Sequence, residues 1–156
     1  MVLITPILLK LGLVGLFFGS LTSSLWFIPG YASLLLPVYL ALKFNPYHIL
    51  ILMTLGAIIG EVINYYCGFM GAKLILKKDI KKGKKWLNKW GDLSLFIVNL
   101  IPLFPSDFIS ILVGFLKMDL KTFIISMGLG KFFQYALLIF GIELITRFIV
   151  YVPFIN

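Results

Sequence analysis

The sequence predicts an all-α integral membrane protein, and three observations carry that reading. Of its residues 61% are apolar and only 13% charged, with a mean hydropathy of +1.07, far from the balance of soluble domains. The apolar stretches run for about 20 residues, the length of a bilayer-crossing helix, whereas strands of a membrane barrel would alternate over about ten. Finally, eight of the fourteen basic residues lie between Lys73 and Lys89. The formal charge of +8 is therefore a local topology mark or lipid-surface patch; nucleic acid, which calls for a soluble basic fold, is not an expected partner. The chain, 1–156, forms one membrane domain with room for roughly three to five membrane segments.

The first apolar run, 1–22, is interrupted only by Lys10 and reads as an N-terminal transmembrane helix, with Gly12, Gly15 and Gly19 spaced for close helix approach. It lacks a basic leader with a small-residue cleavage site, so it is expected to be retained. Residues 23–44 are apolar but broken by Pro29, Gly30 and Pro37. Either a kinked helix or a re-entrant hairpin returning to its own side accommodates these breaks. Asn45 followed by Pro46 is a helix start, the amide capping and the proline occupying the first helical position. This helix runs to about Gly71, roughly 39 Å, enough to cross with tilt, and closes a first unit, 23–72.

Segment 73–91 sets Lys77, Lys78, Lys81, Lys82, Lys84 and Lys85 among apolar residues, with Trp86 and Trp90 following. It predicts a basic amphipathic helix on the lipid surface, broken at Gly83, with a solvated charged loop as the competing reading. The positive-inside rule places 73–89 in the cytoplasm. In the second unit, 92–141, the run LIPLFPSDFISILVGFLKM is interrupted by Pro102, Pro105 and Asp107. Asp107 reads as the cap of a helix starting within apolar sequence, which a broken membrane helix would supply; its free amides could receive a lipid phosphate. Asp119 caps a last span, roughly Leu120–Gly141, and the tail 142–156 either extends it or lies at the surface.

The two units repeat. Lys43 and Lys117, Asn45 and Asp119, Leu55 and Leu129, Gly56 and Gly130, and Ser33 and Asp107 are all 74 positions apart, and Pro29 and Pro102 are 73 apart. If each broken segment returns to its own side, the fold is two inverted repeats, each a re-entrant helical hairpin plus a transmembrane helix. An N-terminal transmembrane helix precedes them and the basic amphipathic helix joins them. Such repeats place a site near the membrane midplane.

An ionisable residue inside a span is by default a functional candidate. Glu61 lies deep in the first span, and Asn64 and Tyr65 share its face. Lys131, twelve residues past Asp119, sits at comparable depth, so a proton- or cation-carrying Glu61 and a Glu61 locked by Lys131 both remain open. Asp107 and Gln134 complete the candidate path. His48 reads as a surface residue and Cys67 as packing. One cysteine and one histidine give no disulfide or His-based metal centre, so neither cofactor nor metal is expected.

These residues resemble the DedA family, also described as the VTT or SNARE-associated Golgi protein family. Gly56, Gly60, Glu61, Tyr65, Gly68 and Gly71 fit its first-span pattern, with glutamate in place of aspartate. Pro102, Gly114, Met118 and Phe123 fit the second, with Val113 before the glycine. Tyr31, Asn99 and Pro105 stand where many members carry charges, and Pro105, Ser106 and Asp107 look like the Pro-x-Asp form of a divergent branch. The resemblance covers roughly residues 26–141 and implies opposed re-entrant hairpins and lipid translocation, in some members coupled to protons.

The function expected is therefore a multi-pass cell-membrane transporter or scramblase for phospholipid or polyprenyl-phosphate lipid, with or without proton coupling. Its partners would be membrane lipids with anionic headgroups, and a homo-oligomer is allowed. The alternatives are a proton- or cation-coupled carrier of a small solute, or a non-transporting membrane assembly factor. An enzyme is not expected, because no nucleophile–base motif or clustered metal ligands occur.

Overall fold

The structure is a computed structural model that describes residues 10–25, 36–40, 42–72, 91–101 and 106–151, with side chains up to 145. Its helices are α1 (Gly12–Leu25), α2 (Pro46–Gly71), α3 (Gly91–Leu100), α4 (Ser106–Phe115) and α5 (Leu120–Tyr151), and residues 36–40 are also helical. No strand occurs among the described residues. The expected breaks at Pro29, Gly30, Pro102 and Pro105 and the basic surface at Lys77–Trp90 lie outside them. Pro37 lies within the helical residues 36–40.

Among the described residues two helices are long and apolar enough to cross a membrane: α2, and α5 from Leu120 to Ile145, each counting 26 residues. As predicted, Asn45 accepts from the Tyr47 N–H at 2.9 Å with Pro46 at the start of α2. Asp119 likewise accepts from the Thr122 N–H and hydroxyl, both at 3.0 Å. The last helix continues past the expected end at Gly141, so residues 142–151 extend it. Over the described residues α1 extends about 21 Å and α3 and α4 about 15 Å each; the rest of the expected N-terminal span, 1–9, lies outside them. The expected boundary at residue 22 falls inside α1.

Helix α2 is the hub, with α1, α4 and α5 packed on it. Residue numbers rise together along α1 and α2: Ser20 donates to the Met53 carbonyl at 2.7 Å, Gly56 faces Phe17 and Leu21, and Asn64 donates to the Ser24 carbonyl at 2.8 Å. These helices are parallel. Along α5 the order reverses, with Tyr47 against Phe140 (6.0 Å between rings), Ile58 against Gly128 and Tyr65 against Phe123 (4.9 Å), so α2 and α5 are antiparallel. In turn α3 runs parallel to α5: Gly130 faces Phe96 and Asn99, and Gln134 donates to the Ile101 carbonyl at 2.9 Å.

Two corners share one backbone geometry. Lys43 and Lys117 adopt left-handed φ of 57° and 56°. The Lys43 N–H reaches the Leu40 carbonyl at 2.9 Å and the Phe44 N–H the Tyr39 carbonyl at 3.4 Å; the Lys117 N–H reaches Gly114 at 2.9 Å and the Met118 N–H reaches Val113 at 3.2 Å. Both are helix-ending pairs of bonds that glycine usually closes, here closed by lysine, 74 residues apart. The spacing found in the sequence thus recurs in hydrogen bonding.

Burial is inverted relative to a soluble protein. Ile51, Leu55, Ile59, Ile63 and Met70 of α2 are exposed, while Glu61, Asn64, Asp107, Lys131 and Gln134 are buried. Apolar side chains outside and ionisable ones inside is the arrangement hydrocarbon imposes. One apolar cluster joins Leu16, Tyr39, Ile49, Met53 and Ile139; a second joins Tyr65, Leu95, Val113, Phe123 and Met127. The polar residues lie between and beside them.

Candidate functional site

The site forms where the start of α4 meets the middle of α2. Glu61 follows Gly60, whose missing side chain leaves room for Leu21 and Ser24 of α1 to close on that turn. The carboxylate is fully buried, at 0% exposure. Across from it, Ser106 and Asp107 open α4, and both are buried. Asp107 stands in the first turn rather than at the cap position the sequence suggested. From α5, Lys131 reaches the same point.

The bonding is directional. The Lys131 ammonium donates to Ser106 Oγ at 2.7 Å, and the Ser106 hydroxyl donates to Glu61 Oε1 at 2.7 Å. The Lys131 Nζ lies 3.5 Å from the same oxygen. Asp107 shares this environment, acting electrostatically on both Glu61 and Lys131, and Tyr135, one turn beyond Lys131, adds its ring and hydroxyl. Glu61 Oε2 is buried and receives no hydrogen bond. Two acids thus meet one ammonium in a buried cluster.

The other predicted path residues have different partners. Asn64 donates to Ser24 and Gln134 to Ile101, in each case a carbonyl at the end of a short helix, α1 or α3. The Tyr65 hydroxyl donates to the Met118 carbonyl beside the Lys117 corner. These three residues bind backbone carbonyls, while Glu61, Asp107 and Lys131 come together. Ser106, the link among them, was not singled out from the sequence. A hydroxyl beside the more conspicuous Asp107 gave little signal beyond its place at a helix start within apolar sequence. Asn99 is buried too, its amide donating to Leu95 and its Oδ1 unpartnered.

Comparison with known proteins agrees with this architecture. The VTT domain family matches residues 5–144. An uncharacterized protein of Methanocaldococcus jannaschii is 30% identical over 94 residues, covering 57% of this chain and 58% of the relative. A protein named alkaline phosphatase-like, from Lactococcus lactis subsp. lactis, is 35% identical over 96 residues, covering 52% of this chain and 44% of its own length. The chain thus spans about half the length of the curated relatives it matches. No solved structure matches it. With a family match over nearly the whole chain and two membrane-length helices around a buried ionisable cluster, the chain belongs to the VTT domain family, the DedA family of membrane proteins.

Proposed function

We propose that the chain moves lipid headgroups across the bilayer, as a phospholipid or polyprenyl-phosphate transporter or scramblase built from two inverted repeats. In this reading residues 23–44 and 93–118 are re-entrant hairpins, each followed by its spanning helix. The observation that carries it is a convergence: Asn64 binds Ser24, and one turn earlier Glu61 binds Ser106. The two proposed hairpins would then meet on one turn of α2. Between them the hydrocarbon barrier is thinned, and polar groups stand where a headgroup would pass.

The matching corners at Lys43 and Lys117 and the antiparallel spanning helices support the inverted relation. By charge, segment 73–89 would face the cytoplasm and bind anionic headgroups in a multi-pass cell-membrane protein. The test is reconstitution into liposomes carrying a fluorescent phospholipid. Dithionite should quench beyond the outer-leaflet fraction, and quenching that stops at that leaflet with folded protein would refute the proposal.

The excess of acid in the cluster favours a second reading, in which a proton or monovalent cation drives carriage of a small solute. Ion-driven uptake in liposomes should then be abolished by Glu61→Gln. Uptake unaltered in that variant would remove the reading's principal residue.

A further inference from the structure

We propose that Ser106 is the positioning residue through which the charge of Glu61 holds the tip of α4 against both spanning helices. The inference rests on the lipid-path reading, in which that tip lines the path.

Helix α4 is fastened at its two ends by different chemistry. At its base the contacts are neutral. Gly114 and Gly68 bring the α4 and α2 backbones together so closely that a Cβ on either would overlap a carbonyl of the other helix. The Tyr65 hydroxyl binds the Met118 carbonyl, and Val113 packs in the apolar cluster with Phe123. At the tip, Ser106 alone carries side-chain hydrogen bonds to both α2 and α5 among the described residues. An ammonium cannot accept and a carboxylate cannot donate, so the hydroxyl's single proton is committed to Glu61 and its lone pair to Lys131. Both bonds are charge-assisted, one by the Glu61 carboxylate and one by the Lys131 ammonium, and the first weakens when Glu61 loses its charge.

The other titratable groups around Glu61 are Asp107 from α4 and Lys131 from α5, with Tyr135 beside Lys131, while α1 carries no titratable residue. Neutralising Glu61 therefore acts on the tip and leaves the base in place. The helix would swing about its crossing with α2, and the end that moves is the one facing the path.

Hydrogen exchange of the full chain in lipid nanodiscs tests this. The reporters are the amides of Ser110 to Leu112, which bond to the first turn of α4, and those of the base at 116–118. Ser106→Ala should speed exchange at the tip about tenfold or more, since it removes both charge-assisted hydrogen bonds of the hydroxyl, with the base unchanged. Ser106→Thr, which keeps the hydroxyl, should restore the tip to within about twofold, and Glu61→Gln should loosen the tip in the same pattern. An unchanged tip in Ser106→Ala, equal loosening of tip and base, or no rescue by threonine would overturn the proposal. If the wild type moves no lipid in liposomes, the transport reading fails while the exchange pattern still decides the role of Ser106. If it moves lipid and the exchange pattern is absent, the positioning role alone fails.

Discussion

Replacing Lys131 with methionine keeps the length of the side chain and removes the only cation of the buried cluster. Its Nζ lies 3.5 Å from Glu61 Oε1, with side-chain exposures of 10% and 0%. At an effective dielectric of about 20 that separation corresponds to about 5 kcal/mol of attraction. The Ser106 link adds a hydrogen bond to a charged group, while the desolvation of the lysine itself is relieved. The net cost of breaking such a buried pair from one side is about 3–5 kcal/mol, because Glu61 and Asp107 remain without a counter-charge. For a chain of this size that lowers the melting temperature by roughly 10 °C, at about 2–4 °C per kcal/mol. The assay is thermal unfolding of detergent-purified protein, with Glu61→Gln and the double variant completing a cycle. The double variant should be more stable than the sum of the singles by about 2 kcal/mol or more, since it leaves fewer unpaired buried charges. Additive singles, or a Lys131→Met protein as stable as wild type, would show that the pair does not interact as its geometry requires.

Other expectations follow from the same contacts. Gly68→Ala and Gly114→Ala should each lower the melting temperature markedly, because the new methyl meets backbone, whereas Gly71→Ala and Gly141→Ala, which face open space, should leave it unchanged. Asn64→Leu and Gln134→Leu should cost about 0.5–1.5 kcal/mol apiece by removing their hydrogen bonds to the Ser24 and Ile101 carbonyls, read as loss of stability in denaturant. Lys43→Gly should stabilise by roughly 1 kcal/mol at its left-handed φ, and Lys117→Gly by less, since Lys117 also sits over the Phe69 ring at 5.6 Å. The Asp119 carboxyl is held below its ordinary range first by the Thr122 N–H and then by its hydroxyl. Its stabilising effect should be complete above the unfolded-state value and fade as pH falls through the folded one, so Asp119→Asn should flatten the acid limb of a stability–pH profile.

The parts of the fold written in single residues were legible. Asn45 with Pro46, and Asp119, announced helix starts by local chemistry, and the 74-residue spacing reappeared in the bonds around Lys43 and Lys117. The pairing of Glu61 with Lys131 followed from equal depth along two helices. Less legible were contacts that depend on a third element. An amide in an apolar helix can pair with any backbone that approaches it, and only the approach of Ser24 to Asn64, and of Ile101 to Gln134, selects the partner. Uniform apolar composition likewise does not reveal where α1 begins or ends. Ser106 escaped for the same reason: its role comes from lying between two charges supplied by other helices.

On the proposed repeat, the charged cluster occurs once. Counting 74 residues from Glu61 reaches Tyr135, and back from Lys131 reaches Ala57; both belong to the apolar cluster that packs the first unit, with Leu36 and Tyr39. The face of α2 that meets α1 and residues 36–40 is thus packed by apolar contacts and neutral hydrogen bonds, whereas the start of α4 is held by bonds to charged groups. An equal pair of charged contacts would bury twice the acid. Because Glu61 of the first unit pairs only with the start of α4, a change in its charge would bias α4 while α1 and residues 36–40 keep their packing, so that on the proposed lipid path the two hairpins would respond differently.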